Sequence, residues 1–282
     1  MKNLIIRSIS GVVFLAIMVG SLLISSHVIA AVLLFSVVVM MWEYLNISMG
    51  KNLIVAQTLS IVTGALLFII TYLHIAFATE ITWLYLMVIP VVAIFISLLY
   101  DKSPGDEAVR EGYRTSGNLI TSIVYIALPF SLVTLVLFGH DGTYNPHILL
   151  SMFILLWSAD VGAYIFGMAF GQKSGHKLFP SVSPKKSWEG LIGGVVSALA
   201  ISFLLYKVQL LPFTLSHSLT IASIIVIFGA LGDLAESLFK RNFGVKDSGN
   251  IMPGHGGLLD RFDGALIAFP VVVAYIKLFS LL

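Results

Sequence analysis

The sequence predicts an all-α integral membrane protein, a polytopic bundle of about nine transmembrane helices with the N-terminus cytoplasmic and the C-terminus outside. Three observations predict it. Hydrophobic residues make up 58% of the 282 residues and charged ones 11%, where a soluble domain carries roughly 25% charged residues. Apolar runs of membrane-spanning length recur along the whole chain. Lys and Arg collect on alternate connections, as their preference for the cytoplasmic side requires.

Met1 to Arg7 is a short basic start, and an apolar run from about Ile9 to Ile24 follows it. The run could be mistaken for a signal peptide, but further spans follow and no convincing small-residue cleavage site does, so it is read as the first transmembrane helix. Later runs lie near 28–46, 53–73, 81–100, 118–139, 148–170, 190–206, 217–239 and 264–282. Each is close to the roughly 20 residues a bilayer demands. In lipid such runs must be helical, because an open strand edge leaves backbone groups without partners. With the N-terminus inside, the outer side keeps only Lys207 and Lys277 of the 16 Lys and Arg residues. The long inner connections are 101–117, 171–189 and 240–263, which puts the expected working face in the cytoplasm. The first of them mixes both signs of charge and reads as a solvated connector. One membrane domain is expected over 1–282, with 1–147 as a helical scaffold and 148–282 as the catalytic portion. Cysteine is absent, which excludes disulfides, a thiolate nucleophile and Cys-based metal sites.

Charge gathers between Gly232 and Asp263, GDLAESLFKRNFGVKDSGNIMPGHGGLLDRFD. The stretch holds Asp233, Glu236, Asp247, Asp260 and Asp263, the bases Lys240, Arg241, Lys246 and Arg261, His255, and a run of glycines from Gly244 onward. It reads as a polyphosphate-and-metal site at the membrane edge. Asp233 and Glu236 are spaced i, i+3 on one helix face, which Lys240 extends. Asp260 and Asp263 repeat that spacing at the entrance to the last span. A carboxylate inside a span costs about 2.5–3.5 kcal/mol on insertion scales, so it turns to a partner or a wet cavity. Asp233, Asp260 and Asp263 offer the hard oxygens that Mg²⁺ prefers, since that ion takes one or two carboxylates and leaves the rest to water and phosphate. No zinc pattern is present. Gly254, Gly256 and Gly257 in PGHGG allow backbone N–H groups to close on an anion. His255 serves equally well as a phosphate contact or as a hydrogen-bonded loop histidine. Glu43, in MMWEYL, stands evenly between a buried ion pair and a functional acid.

A second basic segment, SPKKSWEG, reads as a turn fixed by Pro184, then Lys185, Lys186 and Ser187 before a helix start with Glu189. Helix N-termini favour anions, so a second phosphate contact competes here with ordinary cytoplasmic-side charge. Upstream, WSADVGAYIFGMAFG buries Asp160 among small residues. The glycines are read as close helix packing and Asp160 as lining a polar cavity.

Ser237-x-x-Lys240-Arg241, Lys246-Asp247-x-Gly249 and Pro253-Gly254-His255-Gly256-Gly257-x-x-Asp260-Arg261-x-Asp263 together resemble the signature of the phosphatidate cytidylyltransferase (CDP-diacylglycerol synthase) family. SPKKSWEG and SADxGAY resemble that family's other recurrent stretches, so the likeness covers 151–264. The N-terminal half matches only in being helical and hydrophobic. The resemblance implies the reaction CTP + phosphatidate → CDP-diacylglycerol + pyrophosphate with Mg²⁺, in a bacterial cell membrane, with no nucleic-acid partner. It also implies Asp233 and Asp260 as metal ligands, room for a second, monovalent cation such as K⁺, and a homodimer.

In that chemistry the nucleophile is a lipid phosphate oxygen, already ionised, so catalysis is mostly positioning and charge neutralisation. Asp233, Asp260 and Asp263 are assigned to the metal. Lys240, Arg241, Lys246 and Arg261, with Lys185 and Lys186, are the candidate phosphate contacts, Arg being suited to bidentate geometry. Asp247 and Glu236 would orient these bases. His255 joins the catalytic set; Ser187, Ser237, Gly254, Gly256, Gly257 and Asp160 join the substrate-binding set. A prenyltransferase or CDP-alcohol phosphotransferase would show differently spaced acidic motifs, and neither spacing occurs. A secondary transporter would show repeated halves with broken helices, whereas charge here crowds into the C-terminal inner loops.

Overall fold

Helices form where the apolar runs lie, because a chain surrounded by lipid can satisfy its N–H and C=O groups only within itself. A computed structural model describes residues 2–50, 53–98, 115–171 and 176–282, with side chains from residue 6. Lys51, Lys102, Arg110, Arg114 and Lys173, and the connector 101–117 up to residue 114, lie outside the described residues. The elements are α1 (Lys2–Ile24), α2 (Ser26–Met49), α3 (Ile54–Phe77), α4 (Ile81–Leu98), α5 (Thr115–Val136) and α6 (His147–Gly171), followed by β1 (Lys177–Phe179) and β2 (Ser183–Ser187). Then come α7 (Trp188–Lys207), α8 (Leu215–Asn242) and α9 (Leu259–Leu278). Among the described residues 8 helices, α1 to α8, are long and apolar enough to cross a membrane. The 20-residue α9 carries Asp260, Arg261 and Asp263 at its start, so charge rather than length sets it apart. Polar residues mark several helix starts: Ser25 accepts the Val28 N–H and Ser187 the Gly190 N–H, each at 3.2 Å.

The β1–β2 hairpin departs from an all-helical chain. It pairs Lys177 with Ser187 and Phe179 with Ser183, antiparallel. Pro184 sits in β2 and not in the turn, which falls at 180–182. A two-stranded ribbon has outward edges where a missing N–H does no harm.

The chain forms two compact units: Met1–Leu135 with Asp247–Asp260, and Val136–Lys246 with Arg261–Leu282. These units are drawn on packing, and the scaffold and catalytic portions expected from sequence on function, so their limits do not coincide. The break comes earlier, and the loop Asp247–Asp260 folds with the N-terminal helices.

In unit one, α2 is the centre. Ile29, Leu33, Val37, Met40, Met41 and Leu45 are all 0% exposed, and α2 packs on α1, α3 and the π-helical stretch Ile123–Ala127 of α5. A Cβ at Gly64 of α3 would lie 2.9 Å from the Ala127 Cβ, so α3 and α5 touch nearly backbone to backbone. The Ser60 and Ser122 hydroxyls meet at 2.9 Å across the same seam, the kind of polar contact that joins helices where lipid offers no hydrophobic drive.

Unit two is built by glycine. A Cβ at Gly162 of α6 would sit 2.7 Å from the Gly193 carbonyl of α7, and one at Gly194 would sit 3.0 Å from the Ala159 carbonyl. The small residues of the Asp160 segment thus serve close packing, as read from sequence. Helices α8 and α9 meet the same way: a Cβ at Gly232 would come 2.5 Å from the Asp263 carbonyl. Phe153 of α6 holds α9 through edge contacts to Phe269 and Phe262, with centroids 4.9 and 6.3 Å away.

Because the obstacle at Gly232 is backbone, Gly232→Ala is expected to lower stability by about 1–3 kcal/mol through overpacking, read as a lower melting temperature in detergent. Gly20→Ala, in open space on α1, is the control expected to leave the melting temperature unchanged.

Candidate active site

In unit two the Gly232–Asp263 crossing brings acids together. Asp233 follows Gly232 on α8. Its Oδ2 pairs with Lys186 Nζ at 2.5 Å, and its Oδ1 accepts the Ser237 hydroxyl at 3.3 Å. The Lys186 and Asp233 side chains are 26% and 39% exposed, so solvent screens the pair and its net worth is about 0–1 kcal/mol. It serves placement more than stability. Lys186 lies on β2, whose alternation turns the neighbouring Lys185 outward to solvent. Asp263, on the first turns of α9, accepts the Gly264 N–H at 2.6 Å. Asp160 on α6 keeps solvent-accessible surface although surrounding atoms crowd its carboxyl. Apolar segments bury their small residues against α7 and leave this acid on the open face. Asp160, Asp233 and Asp263 feel one another's charge, and Lys186 offsets it for Asp160 and Asp263, with Arg261 adding to the offset at Asp160.

Glu236, one turn beyond Asp233, points elsewhere. It is 0% exposed and pairs with Lys240 at 2.6 Å. A buried pair of this kind persists only because both charges are matched; Glu236 holds Lys240 in place. Arg241 Nη1 donates to the Val245 carbonyl at 3.3 Å across the end of α8. Arg241, Lys246, Asp247 and Arg261 are all exposed.

In unit one the glycine-rich loop folds around two carboxylates of the protein. Glu43, 1% exposed on α2, accepts the Leu258 N–H on Oε1 at 3.0 Å and the Leu259 N–H on Oε2 at 2.8 Å. These N–H groups stand at the start of α9, where the helix itself offers no acceptor. Asp260 Oδ2 accepts the Ser248 N–H at 2.8 Å, the Ser248 hydroxyl at 2.9 Å and the Gly257 N–H at 2.8 Å. The Ser248 hydroxyl also lies 3.2 Å from Glu43 Oε2 and joins the two acids. A Cβ at Gly249 or Gly257 would come within 2.5 Å of Glu43 Oε1, so a larger residue there would displace the carboxylate from its donors. Inward N–H groups were expected from this loop; those of Ser248, Gly257, Leu258 and Leu259 meet Glu43 and Asp260.

The loop tip rests on α1. His255 Nδ1 and the Ser10 hydroxyl are 2.7 Å apart, and Ser10 Oγ also reaches the Pro253 carbonyl at 3.0 Å. Gly254 has φ +76, and a Cβ there would meet Arg7 Cγ at 2.6 Å. Sequence reasoning left Glu43 open and missed Ser248, Ser10 and Arg7. An acid inside an apolar run is the signal that singled out Glu43; the others carry no such mark.

Among the described residues no group of three or more His, Asp or Glu forms a ready-made metal cage. Mg²⁺ does not require one, because it binds through one or two carboxylates together with substrate phosphate. The like-charged carboxylates of Asp233 and Asp263 fit that demand.

Fold and site define a polytopic helical membrane protein with carboxylates and lysines gathered at helix ends in unit two and a glycine-rich loop held by two carboxylates in unit one. The chain belongs to the cytidylyltransferase family, whose profile it matches over residues 5–279. It is 39% identical over 163 residues to the phosphatidate cytidylyltransferase of Staphylococcus haemolyticus, covering 58% of this chain and 60% of that one. Against the phosphatidate cytidylyltransferase of Bacillus subtilis it is 46% identical over 127 residues, covering 45% and 46%. The protein of the same name in Staphylococcus aureus is 39% identical over 164 residues, covering 58% and 60%. The aligned chain thus spans from about half to 60% of these relatives' lengths.

Glu43→Ala leaves the Leu258 and Leu259 amides buried without an acceptor, at about 1–3 kcal/mol each. Hydrogen exchange at these amides is expected to speed up and the 247–260 loop to become sensitive to protease. Glu80→Ala, at an exposed position, is expected to change neither.

Proposed function

We propose that the chain transfers the cytidylyl group of CTP to phosphatidate, giving CDP-diacylglycerol and pyrophosphate for phospholipid synthesis. The observation that carries this is membership of the cytidylyltransferase family across residues 5–279. The names of its relatives support phosphatidate as acceptor.

A phosphate oxygen of the lipid bonds to the α-phosphorus of CTP, the bond from that phosphorus to the β-phosphate oxygen breaks, and pyrophosphate leaves. The attacking oxygen is already ionised, so no proton has to move. The protein's task is to position two anions and lower their repulsion. Lys186 and Arg261 set positive charge among Asp160, Asp233 and Asp263. Lys240, steadied by Glu236, and Lys185, Arg241 and Lys246 are the further phosphate contacts of this proposal. The Ser187 hydroxyl caps α7, so that segment would act through the helix N-terminus it organises. Gly254, His255, Gly256 and Gly257 would act through the loop that Asp260 and Glu43 hold.

Mg²⁺ is the proposed cofactor and Asp233, Asp260 and Asp263 its proposed ligands, on the spacing of the acids and the hardness of their oxygens. When bound, it would offset charge on the triphosphate. A second, monovalent cation such as K⁺ and a homodimer belong to the same proposal, on the family resemblance. So does the topology with the N-terminus inside, which the distribution of Lys and Arg supports and which would let cytosolic CTP meet a membrane lipid.

Purified protein is expected to convert labelled CTP to CDP-diacylglycerol only when phosphatidate and Mg²⁺ are both present; consumption of a prenyl diphosphate in place of CTP overturns the proposal. Asp233→Asn and Asp260→Asn are each expected to lower kcat by about 100-fold or more while membrane insertion persists. Near-normal turnover by either removes that residue from the metal.

A further inference from the structure

Unit one contains an apolar groove of about 440 Å³ between α1, α2 and the loop 251–258. That volume falls within the roughly 300–1,000 Å³ of small-molecule sites. Ile9, Val13 and Ile17 of α1, Phe35 of α2, and Met252 and Leu258 of the loop form most of its wall. Ile9, Val13, Ile17 and Phe35 are 50–62% exposed, on helices apolar enough to cross a membrane, so the groove opens sideways to lipid. Lining residues run along α1 from Ile6 to Met18, a length of about 18 Å at 1.5 Å per residue.

One end is polar. Ser10 stands in the wall, bound to His255 at 2.7 Å. Arg7, one turn earlier, lies over Gly254, is exposed, and makes no ion pair among the described residues. A long apolar channel with an arginine and a histidine at one end complements an amphiphile with an anionic head and an extended tail. A phosphate monoester fits this end better than a phosphodiester, because it carries up to two negative charges. The third wall is the glycine-rich loop itself, so a chain lying in the groove would rest against the segment that Glu43 and Asp260 hold.

We propose that this groove binds an acyl chain of the phosphatidate that the enzyme consumes, with Arg7 facing the lipid phosphate; the identity of the lipid rests on the function proposed above. The test is photolabelling in nanodiscs with phosphatidate bearing a diazirine on one acyl chain, mapped by mass spectrometry. Adducts are expected at Ile9, Val13 and Phe35. Val13→Trp, which fills the groove, is expected to cut them about tenfold and to raise KM for dioleoyl phosphatidate about tenfold. KM for CTP and for dibutyryl phosphatidate should not change. Ile9→Ala guards against misfolding by Val13→Trp: it is expected to raise the long-chain KM about threefold with an unchanged melting temperature. Arg7→Gln is expected to weaken labelling by phosphatidate and not by the matching diacylglycerol probe.

Labelling spread equally over other lipid-facing positions such as Val62 and Phe95 overturns the groove. Displacement of the probe by phosphatidylglycerol as readily as by phosphatidate overturns the assignment to a phosphate monoester. Groove adducts without any CTP-dependent turnover leave the groove standing and sink the proposed activity instead.

Discussion

A carboxylate that is 1% exposed within an apolar helix survives only where donors replace the water it has lost, and in unit one the chain arranges itself to supply them to Glu43. The Leu258 and Leu259 N–H groups and the Ser248 hydroxyl converge on it. Their arrival solves a second difficulty, since the first turn of α9 begins with N–H groups that have no partner inside the helix. A negative group at a helix N-terminus is also favoured by the helix dipole. One acid therefore accepts from the start of α9, closes the loop before it, and is approached closely by the backbone at Gly249 and Gly257, where a Cβ would displace its oxygens. Asp260 repeats the logic one layer out, with Oδ2 drawing in Ser248 and Gly257. For this reason Asp247–Asp260 belongs to unit one while the residues on either side of it in sequence belong to unit two.

Unit two depends on a different constraint. Its helices approach one another until backbone meets backbone, because lipid gives no hydrophobic reward for association and packing must supply it. Gly232 and Gly264 at the α8–α9 crossing, and Gly162, Gly193 and Gly194 between α6 and α7, make that approach possible. Acids adjacent to these glycines then come within range of one another. Asp233 and Asp263 flank the α8–α9 crossing, and Lys186 enters from β2 to offset their charge. Such a group of mixed but unbalanced charge suits a ligand that is itself highly anionic and arrives with a cation.

Much of this was legible in the sequence. The apolar runs located the helices, since in a bilayer length and hydropathy leave the backbone no alternative. Glycines in WSADVGAYIFGMAFG read correctly as a packing face, and the i, i+4 spacing put Glu236 and Lys240 on one helix face, where they pair. Asp160 keeps accessible surface within crowded surroundings, a detail that periodicity cannot give because it does not say which face of a helix a neighbour will cover. Pro184 was placed in a turn because proline favours turns, yet an exposed strand edge tolerates it equally. Glu43 announced itself only as an expensive acid; its partners lie 205 to 216 residues away.

By itself the sequence determined that the chain crosses a membrane many times, which residues carry charge there, and that the acids and bases crowd toward the C-terminal loops. Those properties follow from local composition and from the solvent. Only the tertiary structure decided that the glycine-rich loop closes on Glu43 and Asp260, that Lys186 and not Lys185 meets Asp233, and that α1 and α2 frame an apolar groove with that loop. Each of these depends on which distant backbone donors and helix faces come together, and no spacing within a single segment encodes that.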